Sequence, residues 1–392
     1  MNDSVQRPAP AEEALSGSQD ASLPVQFLLR APLRALQAQG CRARLPRAGL
    51  ASLATRVAAF FATPRAGLPL LVGAVPFDPH ADDALYQPEQ VSSAAATGLP
   101  AVPRFAGTLH AEPDAAGYAD AVRRALAVLR DPAAPLQKVV LARSLRLHSA
   151  QPIAAHALAQ RLGHDPSVAT YLVPLPVPVP EPPAWLVGAT PELLVSRRGR
   201  QVLSHPLAGS ARRQADPVED ARTAQALLDS AKDQDEHRHV VEAIVAGLAP
   251  WCRHIEAAPR PSLHATATMW HLGTPIRATL DEPTTGVATL LAALHPTPAV
   301  GGTPRQAALD TIAALEPAPR GFYAGAVGWL DADGDGDWYV AIRCARVQGR
   351  QVQVYAGAGI VAGSEPLLEV AETAAKFGAL LNALGVDAST PV

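Results

Sequence analysis

The sequence predicts an α+β fold, one large domain with packed sheets at its centre and helices outside. Three observations lead there. Segments with strand-like and helix-like hydrophobic periods mix along the chain without a strict alternation, which fits a doubly wound parallel sheet poorly. Hydrophobic residues make up 48% of the 392 positions, enough to fill a sizeable core. No internal repeat divides the chain into a solenoid or an array.

The elements follow in order. Residues 1–22 are rich in Ala, Ser, Gln and acidic side chains without a helical stripe, so a mobile tail is expected. Gln26–Arg30 reads as a strand, residues 32–39 as a short helix and residues 51–63 as a second helix. Residues 68–77 form a buried apolar strand, and the small, polar stretch 87–103 a surface connection. Tyr118, Ala121, Val122, Ala125, Leu126 and Leu129 recur at helical spacing and predict a helix over 112–130. Residues 138–147 form a strand, in which Val140, Ala142, Ser144 and Arg146 share the face of Lys138. A helix follows over 153–162. The run from Val173 to Pro183 alternates Pro with apolar residues; lacking ladder donors, it reads as an extended insertion at a strand end. Residues 185–189 and 193–197 are strands flanking Thr190-Pro191-Glu192, and 218–248 reads as one long helix. Further strands come after Pro250, then a helix over 303–315, a glycine-rich hairpin region, and a closing helix Pro366–Leu384. The expected organisation is a tail (1–22), an N-terminal part of the domain (23–110) and a catalytic core (111–386).

Charge and cysteine content narrow the function. The 33 basic and 36 acidic residues give a net charge of −3, which implies no attraction to nucleic acid or to an anionic membrane. Cys41, Cys252 and Cys344 are widely spaced and odd in number, which argues against a disulfide framework. Asp3, Glu12, Glu13 and Asp20 interrupt the N-terminus, and no run of about 20 apolar residues spans a bilayer. A cytoplasmic protein is expected.

Five segments carry side chains able to do chemistry. Lys138 opens an apolar strand: it is either a snorkelling surface residue or, if buried, a usable general base. Glu192 follows a Pro between two strands and is either an exposed turn residue or an acid aimed into a cavity. In Pro206-Leu-Ala-Gly209-Ser210-Ala-Arg-Arg213, Gly209 permits close backbone approach and Ser210 offers donors to an anion; the same run also reads as a solvated turn. Lys232, Asp233, Glu236 and His237 stand together on the long helix, either as a solvated face or as a site, and their spacing is not that of a zinc HExxH motif. Glu369, Glu372 and Lys376, three and four apart, share one helix face as an ion-pair ladder or as oxygen ligands suited to Mg²⁺. Two look-alikes are set aside. Asp331-Ala-Asp333-Gly-Asp335-Gly336 begins like a calcium loop, but Ile342 stands where a bidentate Glu is needed. Ala356-Gly-Ala-Gly359-Ile360 lacks the spacing of a phosphate loop.

Together these segments resemble the chorismate-utilising enzymes: isochorismate synthases, salicylate synthases, anthranilate synthase large subunits and aminodeoxychorismate synthases. The resemblance runs in order through Lys138-Val-Val-Leu-Ala-Arg143, Gly188-Ala-Thr-Pro-Glu192, Pro206 to Ser210, Lys232 to His237, and His295-Pro-Thr-Pro-Ala-Val300. It continues through Gly302-Thr-Pro304, Tyr323-Ala-Gly-Ala-Val-Gly-Trp329, Ala341-Ile-Arg343, Ala356 to Ile360 and Glu369 to Lys376. It implies one domain of two pseudo-related halves with the substrate in the cleft between them. It implies, too, that Glu236 and Glu372 bind Mg²⁺ with Glu369 in support, and that Mg²⁺ holds the ring carboxylate of chorismate. Arg343, with the backbone near Gly357, would clamp the enolpyruvyl carboxylate, while Gly209, Ser210, Ala299, Val300, Tyr323 and Lys376 complete the substrate site. Lys138 would deprotonate a water attacking ring C2, and Glu192 would protonate the departing C4 hydroxyl.

Within the family, Lys138 disfavours the ammonia-using anthranilate branch. Ala208 occupies the position of the nucleophilic Lys of aminodeoxychorismate synthases, leaving water as the nucleophile. Ala299-Val300 resembles isochorismate synthases; Tyr323 resembles salicylate synthases, which add a pyruvate-releasing step. The resemblance thus implies an isochorismate synthase feeding siderophore or salicylate biosynthesis, a monomer with no obligate glutaminase subunit. The alternatives are a salicylate synthase and a non-catalytic chorismate-binding or regulatory homologue, the latter disfavoured by the joint presence of Lys138, Glu192, Glu236, Arg343, Glu372 and Lys376.

Overall fold

A computed structural model describes residues 26–63, 67–93, 100–102 and 105–387; the expected tail lies outside the described residues. The architecture is α+β, as the sequence predicts. It is one body of two halves, each built on a large sheet, and among the described residues every strand pairing is antiparallel. In the first sheet the strand Lys138–Ser149 pairs with Gln351–Ile360 over ten residues, from Val139↔Ile360 to His148↔Gln351. The sheet continues through Cys344–Gln348, Ala184–Thr190 and Ala169–Leu175 to Gln26–Arg30 and Ala35–Gln39. The second sheet centres on Leu193–Arg198, Gly336–Val340, Ala326–Asp331 and Leu70–Val75. A smaller sheet joins Leu207–Arg212, Met269–Gly273 and Ser262–Ala265. The N-terminal part therefore adds strands to both large sheets, and buried residues from both, such as Phe27, Val72, Val139 and Trp338, share one apolar core.

Eight helices are described: α1 (Leu53–Ala62), α2 (Ala115–Leu129), α3 (Ala155–Leu162), α4 (Pro217–Asp229), α5 (Ala231–Leu248), α6 (Val287–Leu294), α7 (Arg305–Leu315) and α8 (Pro366–Leu384). Helix α2 begins at Asp114, whose side chain accepts from the Gly117 amide at 2.8 Å. Helix α8 starts with Pro366 in its first turn and stops at Gly385, which turns left-handed at φ 74°. None of the helices is long and apolar enough to cross a membrane.

Three expectations need correction. Residues 32–39 are not a helix. Ala35–Gln39 is a strand folded back on Gln26–Arg30, with Leu29 opposite Leu36. Leu36 and Ala38 are buried at alternate positions, and pairing overrides the helix propensity of Leu, Ala and Gln. The long helix over 218–248 is two helices. Ser230 is extended (ψ 109°), and its hydroxyl accepts from the Asp233 amide at 3.3 Å, so it caps a new helix. The segment 206–213 is largely strand rather than loop. Helix α6 was not expected; buried nearly all round, it shows no amphipathic stripe.

Other expectations match. The proline run begins inside the strand Ala169–Leu175 and then leaves it. Pro174 faces Trp185 on one side, beyond the reach of the pairing with Gln26–Arg30 on the other. The aspartate-rich segment is the hairpin between Ala326–Asp331 and Gly336–Val340. The Arg197 guanidinium donates there to Asp335 at 2.7 Å and to the Asp333 carbonyl at 2.8 Å.

Candidate active site

The chain crosses between the two large sheets twice at one place. Pro191-Glu192 links Ala184–Thr190 of the first sheet to Leu193–Arg198 of the second. Ile342-Arg343 lies on the return from Gly336–Val340 to Cys344–Gln348. The crossings hold each other: the Val340 amide donates to the Glu192 carbonyl and the Ala189 amide to the Arg343 carbonyl, both at 3.1 Å. Arg343 takes a left-handed backbone (φ 52°), costly for a residue with a Cβ and found where surrounding structure enforces it.

Between these crossings, the smaller sheet, α5 and α8 lies a cavity. It is lined by Glu192, Gly209, Ser210, Glu236, Ala299, Val300, Tyr323, Arg343, Gly357 and Lys376, all expected from the sequence. Lys138, Glu369 and Glu372 do not line it; they stand directly behind lining residues. Lys138 is fully buried, with its Nζ 3.1 Å from Glu236 Oε1. Glu372 accepts from Ser210 Oγ at 3.1 Å and pairs with Lys376, whose Nζ also donates to the Gly357 carbonyl at 2.9 Å. Glu369 is 1% exposed and pairs with Lys232 at 2.9 Å. Each carboxylate thus has its own lysine. Among the described residues no group of three or more His, Cys, Asp or Glu is gathered to hold a metal ion.

Burial sets the protonation pattern. Glu192, 2% exposed, has its carboxyl pushed up to about 8 by burial; Lys138, the Leu207 amide, Arg343 and Lys376 pull it part of the way back. Glu192 is therefore largely protonated at neutral pH. Burial and the charge of Glu372 raise Glu369, against the pull of Lys232. Glu372 moves the other way: burial opposes its charge, but Lys376, Lys232 and the Ser210 hydroxyl outweigh it. Among the described residues Arg343 has no side-chain hydrogen-bond or ion-pair partner, which leaves its guanidinium to receive a carboxylate.

Three close approaches explain glycines. A Cβ on Gly359 would lie 2.0 Å from Glu236 Oε1, one on Gly357 would lie 2.9 Å from the Tyr323 hydroxyl, and Gly209 has φ 80° against Asp233. Sequence reasoning missed Tyr355 and His271, which also line the cavity. Tyr355 shares a strand face with Gly357 and Gly359 and stacks on Tyr323 at 4.8 Å, so period-two counting back from the glycines would have found it. His271 is held well below its ordinary range by burial, Arg343 and Lys376, hence neutral; it follows Trp270 in a short strand with no local signal. A wider cavity of about 390 Å³ adjoins the site and shares Pro191, His271 and Arg343 with it.

The family described as chorismate binding enzyme matches residues 75–385. The chain is 44% identical over 379 residues to isochorismate synthase DhbC of Bacillus subtilis, covering 93% of this chain and 94% of that protein. It is similar to the crystal structure of a putative 2,3-dihydroxybenzoate-specific isochorismate synthase, DhbC, from Bacillus anthracis. The TM-score there is 0.87 at 40% identity, over 93% of this chain and 97% of that one. Anthranilate synthase component I of Streptococcus pneumoniae shares the fold, with TM-score 0.67 at 20% identity over 91% and 90% of the two chains.

Proposed function

The chain belongs to the chorismate-binding enzyme family, and from that premise we propose that it is an isochorismate synthase, an isomerase that converts chorismate to isochorismate. The observation that carries this reading is Glu192: a buried carboxyl, protonated at neutral pH, in one cavity with the unpaired Arg343 and within the field of Lys138. Such a pair of groups supplies an acid and a base to one substrate.

In the proposed reaction Lys138, reacting as the neutral amine, takes a proton from a water while the water oxygen bonds to ring C2. The ring double bonds shift, the C4–O bond breaks, and Glu192 gives its proton so that the hydroxyl leaves as water. One water enters and one leaves, so the reaction is a net isomerisation. The Glu236 carboxylate holds the ammonium that forms on Lys138, at the 3.1 Å contact. Arg343 receives the enolpyruvyl carboxylate through its planar fork. Ala299, Val300 and Tyr323 bound the ring, and Gly209, Ser210, Gly357 and Lys376 give close backbone approach and donors.

The site suits Mg²⁺ in donor chemistry. Its candidate ligands are hard carboxylate oxygens, and the charge of Glu372 opposes ionisation of Glu369, a repulsion that a divalent cation relieves. Glu236, Glu369 and Glu372 would hold it, Glu369 and Glu372 exchanging lysine partners for the metal and Glu236 sharing its carboxylate between the metal and Lys138. When bound, Mg²⁺ supplies positive charge for the ring carboxylate. We take the chain to act as a monomer without a glutaminase partner.

A second reading, salicylate synthase, is favoured by Tyr323 alone. Both are tested by chromatography with mass detection after incubating the purified protein with chorismate and Mg²⁺ but no ammonia. Isochorismate without pyruvate is expected. Salicylate with matching pyruvate would establish the second reading, and turnover only with added ammonia would overturn both.

A further inference from the structure

Glu316 and Arg320 form an ion pair behind the cavity wall, outside every motif used above. Arg320 is 5% exposed, and all three nitrogens of its guanidinium donate hydrogen bonds. Nη1 donates to the Val300 carbonyl at 2.6 Å, Nη2 to the Val140 carbonyl at 2.7 Å, and Nε to Glu316 Oε2 at 2.9 Å. The other Glu316 oxygen accepts from Arg320 Nη2 and from the Ala142 amide, the latter at 2.8 Å. The Tyr323 amide donates to the Arg320 carbonyl at 3.1 Å, and the guanidinium lies 4.3 Å from the centre of the Phe77 ring.

Val140, Val300 and Tyr323 all line the cavity, and Val140 and Ala142 belong to the strand that begins with Lys138. The pair therefore touches three cavity walls from three separate chain segments. A buried ion pair is a weak source of net stability, because desolvation offsets most of the Coulombic gain. What this one adds is geometric: a planar fork fixes two backbone carbonyls relative to each other, and the carboxylate fixes the amide two residues along from one of them. A displacement of about 1 Å of a reacting group costs on the order of 100-fold in rate.

We infer that Arg320 and Glu316 are positioning residues for the reaction, a paired clamp that sets the Lys138 strand against the Val300 and Tyr323 walls. The inference rests on the activity proposed above, so its test has one readout with substrate and one without. Arg320→Lys keeps the charge but loses the fork, and Glu316→Gln keeps the shape but loses the charge. The control is Arg197→Lys, which weakens the ion pair of the buried Arg197 with the partly exposed Asp335, outside the cavity.

With chorismate, both clamp variants should lose at least about tenfold in kcat with KM moved less than about twofold. The control should lose a comparable melting temperature and keep its kcat. Without substrate, hydrogen exchange read by mass spectrometry should quicken in Glu316→Gln over residues 139–144 and 299–303, but not in the control. Wild-type protein inert toward chorismate would sink the proposed activity and leave the exchange result to judge the clamp. Exchange in those segments matching the wild type, or a kcat loss no larger than the control's at equal melting temperature, would overturn the clamp itself.

Discussion

Replacing Glu192 with Gln should move activity and stability in opposite directions. The folded protein holds this carboxyl up at about 8, burial being the main cause, against an ordinary value of 4.5. Below pH 4.5 the folded and unfolded chains both carry the proton, and the group has no effect on stability. Between 4.5 and about 8 the folded state keeps a proton that the unfolded chain has released, so stability falls as pH rises and levels off above pH 8. At about 1.4 kcal/mol per pH unit, the loss at pH 7 is on the order of 3 kcal/mol. The Gln variant has no such titration. Its melting temperature should exceed the wild type's by several degrees at pH 7, and the gap should close toward pH 4.5. Its kcat should fall by about 10²–10⁴, because no proton is delivered to the leaving hydroxyl. The alkaline limb of the wild-type kcat/KM profile, near pH 8, should disappear with it. Calorimetric scans from pH 4.5 to 8, with initial rates of isochorismate formation, read all of this. A Gln variant with wild-type kcat, or with a stability difference that does not change over that range, would refute the argument.

Other outcomes follow from the same geometry. Lys138→Met should abolish turnover while titration calorimetry still records Mg²⁺ binding; normal activity would remove Lys138 as the base. It should also destabilise the fold by about 3–5 kcal/mol, since Glu236 is left buried without its partner, and thermal melts check this. Gly359→Ala would drive a methyl group into Glu236 Oε1, so both activity and Mg²⁺ affinity should drop, with a stability cost of about 1–3 kcal/mol in denaturant titration. Ser230→Ala removes the cap that starts α5 and should cost about 1 kcal/mol by the same measurement, with kcat little changed.

The legible parts of the molecule were those in which local signals agreed. Helix α8 has a Pro at its start, a Gly just past its end and an apolar stripe between, and its ends fall where the sequence puts them. The strand opening at Lys138 was legible too, as the apolar run 139–142 followed by alternating polar and apolar residues. Residues 32–39 were misread because five residues with two buried positions fit either period, and only pairing with Gln26–Arg30 decides. The break at Ser230 lay in plain view as a capping residue, hidden by charged flanks that suit a helix on both sides. For the site, Glu192 and Arg343 were found through their motifs, but nothing local says that both lie where the chain changes sheets. His271, Glu316 and Arg320 gave no signal, because their roles arise from segments far apart in sequence.

The ten-residue pairing between Lys138–Ser149 and Gln351–Ile360 has a consequence for synthesis. Its partners lie more than 200 positions apart, so loop closure must precede any reward from the contact, and such pairings form slowly. On the ribosome the strand that begins with Lys138 emerges long before its main partner exists. Until then Gly107–Glu112 and later Gly302–Thr303 can pair with one side of it, leaving the other edge open to other chains. Yield of active protein should therefore depend on how quickly the last third of the chain arrives, and a nascent chain halted before residue 351 should present a sticky edge and no cavity.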